Sequence, residues 1–461
     1  MTDERERALS DAFALGLDYL RTLPERHVGA VADATTVRER LGTALPQDPE
    51  DAASVVAALA AAVDPGLVAS AGPRYFGFVV GGALPAAVAA DVLTAAWGQN
   101  AGLHALSPAA AAAEQVAGEW MLDLLGLPAE ASFGLPTGAG LGNTVGLAAG
   151  RHAVLARAGW DVERKGLYGA PEIRVVIGEE AHATLLTALQ YLGLGRERVT
   201  KIATDGQGRM RMDELSAALD RSQGPVIVAA QAGNVNTGAF DPVDEIAGLL
   251  AEQPNGWLHV DGAFGLWAQV SPDLRHLVKG IEGADSWSTD AHKWLNAGYD
   301  CGFVAVRDAE AHRVAMATTA AYLLRSDQRE SWEYVLDSSR RARGFALYAA
   351  IRSLGRSGVQ ELVERCCRLA RRMAEQLAAE GVEVLNEVVL NQVLVSFGED
   401  QETQAVISRV QADGTAWMGG TNWHGRAAMR ISVSNWSTTE ADADASVQAI
   451  LAALHDRALA G

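Results

Sequence analysis

Cysteine is scarce in this sequence. Among 461 residues there are three, Cys301, Cys366 and Cys367, two of them adjacent. An odd and partly contiguous set makes no disulfide framework, and it is what a reducing, cytoplasmic setting would be expected to hold. Basic charge is also in short supply. Lys plus Arg number 38 against 57 Asp plus Glu, so the formal charge is 38 − 57 = −19. That disfavours nucleic acid and anionic membranes as partners, since both need a basic face. Long apolar runs are missing as well. The alanine-rich stretch 83–96 is interrupted by Pro85 and Asp91 and reads as a buried helix rather than a membrane span. The charged residues at the start of the chain are not followed by an apolar core segment, so no signal peptide is expected. Neither an internal repeat nor a low-complexity linker is visible. What remains is ordinary globular composition, 49% hydrophobic and 21% charged, in a chain long enough for two or three packed units.

Hydrophobic spacing gives the organisation. Leu9, Phe13, Leu17 and Leu20 predict an amphipathic helix over about 3–23, and a second helix is expected over 51–63. Gly72 to Gly82 brackets aromatic residues with glycines. That suggests backbone close to a ligand, or a turn under a core cluster. Helices follow at about 85–97 and 108–125. From Phe133 onward, strand and helix patterns alternate: strands at 173–177, 199–202, 226–230, 258–260, 286–288 and 303–306, with helices at 181–192, 212–220 and 243–252 among them. This alternation predicts an α/β fold with a mostly parallel, doubly wound sheet. Residues 307–339 read as loop. Two helices, 341–354 and 359–379, lead to a tail with strands at 383–386, 392–397 and 427–433 and helices at 401–412 and 439–457. The expected segments are an N-terminal helical part, 1–80, a large α/β domain, 81–355, and a small α+β domain, 356–461.

The chemistry concentrates around Asp285-Ser-Trp-Ser-Thr-Asp-Ala-His-Lys-Trp-Leu-Asn296. Lys293 lies there among small and apolar residues. A desolvated lysine suits a Schiff base with an aldehyde cofactor; a lysine snorkelling from a strand end is the other reading. Three further stretches accompany it. Trp257-Leu-His-Val-Asp-Gly-Ala-Phe264 is a buried strand ending in a carboxylate, Asp261. Gly134-Leu-Pro-Thr-Gly-Ala-Gly-Leu-Gly142 is a glycine-rich entry to a helix, a shape that binds anions through backbone N–H groups. Glu179-Glu-Ala-His182 follows a strand. In that order these are the parts of a pyridoxal phosphate site.

The same stretches carry a family resemblance. His-Val-Asp-Gly-Ala (259–263), Ala-Asp-Ser (284–286), His-Lys-Trp (292–294) and the run 232–242 are the densest matches, and the similarity extends from about 73 to 433. The chain resembles the group II pyridoxal phosphate-dependent amino acid decarboxylases. The resemblance implies a fold type I enzyme, active as a homodimer, whose N-terminal segment packs on the partner subunit. It makes Lys293 the cofactor lysine, with Asp261 at the ring nitrogen, Ala263 under the ring and His182 stacked on its other face. Thr137, Gly138, Ala139 and Gly140, with Asn143, would hold the phosphate, and Asp290 and His292 would lie beside it. Two departures stand out. Gly140 and Leu141 replace the family's usual Ser or Thr followed by Glu, and Asp290 stands where the family often has asparagine. Phe78, Gly81, Trp97, Asn100 and His104 match segments that line the substrate pocket, with Asn100 and His104 leaning toward a polar substrate side chain, while Phe78, Trp97 and Trp294 could equally line an aromatic pocket.

The implied activity is decarboxylation of an L-amino acid to the amine, with no metal ion involved. An aldehyde synthase, an aldolase or a carbon–sulfur lyase on the same fold is the alternative. A non-catalytic binding protein fits poorly with an intact set of Lys293, Asp261 and His182. Aligned on Arg340 and Arg341, Ser331 falls where the family carries a proton-donating tyrosine. Tyr334, three residues on, is the expected substitute, with Tyr322 next.

Overall fold

In the computed structural model, which describes residues 3–219, 224–317 and 328–456, Asp261, Asp290 and the segments that carry His182, Lys293 and the glycine loop belong to a seven-stranded sheet and its connections. Its strands are β1 (Ser132–Gly134), β2 (Arg174–Gly178), β3 (Val199–Ile202), β4 (Val226–Gln231), β5 (Gly256–Asp261), β6 (Ser286–Asp290) and β7 (Gly302–Val306). They lie in the order β1-β7-β6-β5-β4-β2-β3. Strands β2 to β6 pair in parallel, while β7 runs antiparallel to both β6 and β1. The sheet is thus mostly parallel, as the alternation predicts. Its central strands are runs such as Val226-Ile-Val-Ala-Ala230, buried along their length, as strands covered on both faces should be. The short edge strand β1 was not anticipated; three residues give too little periodicity to read.

One helix, Ala139–Arg157, lies against β5, β6 and β7. Its approach is unusually close because Gly142, Gly146 and Gly150 recur every four residues and so share a face. A Cβ at Gly146 would stand 2.8 Å from the His259 ring, one at Gly150 2.7 Å from Trp257, and one at Gly142 3.0 Å from Ser288. The strand residues they meet are those that alternation places on a common face.

The chain divides into two compact units: Ala83–Ala370 with Leu385–Gln392, which contains the sheet above, and Met1–Gly82 with Arg371–Val384 and Val393–Gly461. The first and last of the three expected segments therefore fall largely in one unit. Backbone pairing is the reason. Phe76 donates to Trp417 and accepts from Ser432, both at 2.9 Å, and Val28 donates to Gly414 at 2.8 Å. This second unit has its own sheet, β10-β11-β9-β8, from β8 (Glu383–Val384), β9 (Gln392–Ser396), β10 (Gly419–Trp423) and β11 (Arg426–Ser432). Its helices Glu4–Thr22 and Ala52–Val63 pack on one another and leave Leu9 and Phe13 more than half exposed.

Several local expectations change. Residues 307–339 are not loop throughout: Ala309–Met316 is a helix, started by Asp308, whose side chain accepts from the Ala311 N–H at 2.9 Å. Helix Ala34–Leu41 and strand β10 also went unread. The two expected helices after 340 are one helical run, Arg343–Ala379, broken at Gly355 with φ 60°.

The glycine face yields a paired test. Gly146→Ala should destabilise the protein by about 1–3 kcal/mol through overpacking. Gly248→Ala, on a helix where an added Cβ meets nothing within 4 Å, should stabilise it by up to about 1 kcal/mol. Chemical denaturation reads both; equal effects would contradict the close approach.

Candidate active site

Lys293 follows β6 in a turn, with its side chain about one-fifth exposed. Its Nζ lies 3.1 Å from Oδ2 of the buried Asp290. The other oxygen of Asp290 accepts the backbone N–H of Ala139 at 2.6 Å and lies 3.5 Å from His292 Nε2. Asp290 itself is fixed through its own N–H, which donates to Ala263 O at 2.9 Å. The His292 Nδ1 accepts from Cys301 N–H at 3.3 Å, so a proton on its ring belongs on Nε2, toward Asp290. Burial lowers the His292 pKa and the neighbouring Asp290 carboxylate opposes that shift. The Lys293 turn and the glycine loop are thereby joined through one carboxylate.

The loop leads from β1 into helix Ala139–Arg157. Gly138 is its N-cap and carries no side chain to satisfy the free N–H groups. A Cβ there would come within 3.2 Å of His292 and 3.3 Å of Asp290, so the position accepts only glycine without displacement. Thr137, Gly138 and Gly140 are half-buried and Ala139 is buried. A helix N-terminus whose own N-cap residue offers no side chain, beside a lysine and a strand-end carboxylate, suits a phosphate-bearing aldehyde cofactor.

Asp261 ends β5 and is held from two sides: Asn143 Nδ2 donates to Oδ2 at 2.9 Å and Ala263 N–H to Oδ1 at 3.2 Å. Behind Asn143 runs a buried relay. Trp257 Nε1–H donates to Ser286 Oγ at 2.9 Å, Ser286 Oγ lies 2.8 Å from His259 Nδ1, and His259 Nε2 lies 2.9 Å from Asn143 Oδ1. The Ser288 hydroxyl also reaches Asn143 Oδ1. The Asp261 carboxylate accepts from the Asn143 NH2, so Asn143 Oδ1 accepts from the ring and the Ser286 hydroxyl is left to donate to Nδ1. His259 therefore donates from Nε2. Burial pushes the His259 pKa down to about 3, consistent with a neutral ring. Motif reading finds Asp261 and Asn143 but misses His259, Ser286 and Ser288. The signal was present in the alternation of β5, which puts Trp257, His259 and Asp261 on one face.

His182 caps helix Ala183–Tyr191, its Nδ1 accepting the Thr184 N–H at 3.3 Å. It still lines one small cavity together with Asp261, Gln231 and Asp241. Asp241 accepts N–H groups from Met210 and Gln231, each at 2.7 Å, and burial raises its pKa to about 6. Asn100 is committed elsewhere than expected. Its Oδ1 takes the N–H groups of Gly102 at 2.9 Å and Arg340 at 3.2 Å, leaving only its NH2 to offer a ligand. Trp97 is half exposed and packs edge-on against Phe345. The His104 N–H donates to Glu330 at 2.6 Å. Phe78 and Gly81 belong to the other unit, where the exposed Phe78, at φ 54°, rests on Trp417. Tyr334 stands in the turn Ser331–Tyr334 with Arg329 4.6 Å from its ring and His312 edge-on at 5.1 Å. Tyr322 lies outside the described residues.

Comparison with known proteins follows the same lines. Residues 35–398 match the pyridoxal-dependent decarboxylase conserved domain. The chain is 30% identical over 329 residues to acidic amino acid decarboxylase GADL1 of Bos taurus, a stretch covering 68% of this chain and 61% of that relative; it thus spans about three fifths of that relative's length. It is 25% identical to phenylacetaldehyde synthase of a Rosa hybrid cultivar, over 92% of this chain and 88% of that one. In fold it is similar to the crystal structure of Oryza sativa TDC with PLP and tryptamine, at a TM-score of 0.91 and 23% identity, covering 99% and 98% of the two chains.

Buried titratable groups set an acid limit. Burial holds His259 and His312 neutral, each with its pKa near about 3. The unfolded chain protonates histidine near about pH 6.5, so stability is full above that pH and falls as the pH drops toward 3. Asp241, raised to about 6, runs the other way, because the native state keeps its proton below that pH. One histidine is offset and one is not. The expected loss is about 1.4 kcal/mol per pH unit between about pH 6 and pH 4, read from denaturant midpoints; a flat profile would contradict it.

Proposed function

This chain belongs to the family of pyridoxal-dependent decarboxylases, and on that premise we propose that it removes carbon dioxide from an L-amino acid to leave the amine. The cofactor is pyridoxal 5'-phosphate. The observation that carries the proposal is the junction at Asp290, where the lysine turn meets the helix N-terminus, with Asp261 fixed nearby on β5. Bound, the cofactor supplies an electron sink for the bond broken at the α-carbon. In our reading Lys293 anchors it, the N–H groups of Gly138 to Gly140 take its phosphate, Asp261 meets its ring nitrogen, and His182 and Ala263 bound its faces. The relay through Asn143 keeps the Asp261 carboxylate aimed without a counter-charge.

An acidic substrate side chain is the reading we favour. Asn100 has only its NH2 left to offer, and a matched relative is named as an acidic amino acid decarboxylase. A homodimer is part of the proposal, supported by the apolar stripe of Leu9 and Phe13 that helix Glu4–Thr22 exposes. So is a reducing cytoplasmic setting, in keeping with three buried cysteines. The second reading, an aldehyde synthase, draws on the serine at 331 and on the phenylacetaldehyde synthase relative.

The anchor is directly testable. The chain has only four lysines, Lys165, Lys201, Lys279 and Lys293. Borohydride should bleach the yellow holoenzyme and leave the cofactor on the peptide containing Lys293. A label on any of the other three would overturn the assignment.

The proton donor and the dimer are tested together. After carbon dioxide leaves, the α-carbon needs a donor within hydrogen-bond reach, and we assign the Tyr334 hydroxyl of the opposite subunit. Burial raises the Tyr334 pKa while Arg329 opposes this, so the phenol keeps its proton at neutral pH. Tyr334→Phe should retain cofactor, lose amine formation by about 100-fold or more and gain oxygen-dependent aldehyde. Mixing it with Lys293→Ala should restore amine in hybrid dimers. Amine at the wild-type rate from Tyr334→Phe would exclude Tyr334, and oxygen consumption with aldehyde release by the wild type would establish the second reading. A screen of the common L-amino acids for carbon dioxide release names the substrate.

A further inference from the structure

A carboxylate is a surprising tenant for an anion site. Asp290 accepts the first free N–H of helix Ala139–Arg157 at 2.6 Å, and that helix end attracts negative charge through its dipole. The same side chain lies 3.1 Å from the Lys293 ammonium. It is 4% exposed, so water screens it weakly. The groups facing it are Ala139 N–H, Lys293 and His292. We propose that Asp290 is a resident counter-ion of Lys293 that occupies the anion seat of the glycine loop and weakens its hold on a phosphate. Two negative groups cannot both take the Ala139 N–H, and a second anion brought within a few ångströms of a buried carboxylate is repelled. Lys293 pairs with Oδ2, so the oxygen that stands on the loop and faces an incoming phosphate is Oδ1, the one farther along the carboxylate from the ammonium contact. The inference rests on the reading that residues 137–140 hold the cofactor phosphate.

Its test separates the phosphate seat from the lysine chemistry. The probes are 4'-deoxypyridoxine 5'-phosphate and 4'-deoxypyridoxine, which have no aldehyde and form no bond to Lys293. Binding of each to the full-length apoprotein is followed by tryptophan fluorescence at about pH 8 and low salt. The ratio of the two affinities isolates what the phosphate contributes. Asp290→Asn and Asp290→Ala should each raise that ratio by roughly tenfold or more over wild type. Added salt should narrow the gap. A gain in Asp290→Asn alone would show a new hydrogen-bond donor rather than a relieved charge, and would overturn the proposal. An unchanged or lower ratio in both variants would overturn it too. If no form of the protein prefers the phosphorylated probe, the assignment of residues 137–140 to the phosphate falls along with it.

Discussion

The close seating of helix Ala139–Arg157 on β5 and β6 is the constraint on which the site depends. A helix normally keeps its axis well off a sheet because side chains intervene. Here three glycines on one face remove that layer, and Trp257, His259 and Ser288 come up against the helix backbone. The short gap lets Asn143 span from the helix to Asp261 with a single side chain. It also encloses a polar relay that would cost several kcal/mol if its members were left unpaired. Each member has a partner, and the donors and acceptors run in one direction from the indole of Trp257 to the carboxylate. Such a network permits one arrangement of the Asn143 amide, so the aim of Asp261 is set by the fold and not by solvent.

The N-terminus of that helix, one turn before Asn143, does a different job with the same physics. Its unpaired N–H groups gather negative charge, and the chain places Asp290 there, joined to Lys293. A strand-end carboxylate is thus shared between a helix dipole and an ammonium. The glycine loop and the Lys293 turn are thereby coupled through one side chain. His292, its ring against Tyr299 and held by the Cys301 N–H, completes the enclosure.

The parts of the site that were legible in sequence are those carried by rare residues in local context. A lysine after a strand, an aspartate at a strand end and a glycine run before a helix each announce themselves within ten residues. The alternation of strands and helices was legible for the same reason, since burial on both faces makes β4 and β5 read as apolar runs. What could not be read depends on contacts between distant stretches. His259 looked like an ordinary member of the run 259–263 until Gly146 brought the helix onto it. Asn100 looked like a pocket residue, yet its carbonyl oxygen is taken by a backbone N–H from residue 340. The N-terminal segment looked separate because its pairing partners, residues 414, 417 and 432, lie at the far end of the chain.

Arg340 shows how the outlying pieces are tied to the centre. Its guanidinium is fully buried, bonded to both oxygens of the equally buried Glu114 at 3.0 and 2.7 Å. A buried pair of this kind contributes little net stability, but either member alone would be a severe liability, so the two are kept together. Another Arg340 nitrogen donates to Leu135 O at 2.5 Å, two residues before Thr137 in the glycine loop. Its backbone N–H holds Asn100 and its carbonyl accepts from Ala101 at 3.0 Å. Six residues earlier in the same segment stands Tyr334. One arginine therefore ties the glycine loop, the stretch that carries Asn100 and its own segment, which leads back to Tyr334, to a common point. The spacing of these stretches is therefore set by the buried Arg340–Glu114 pair as well as by the loops themselves.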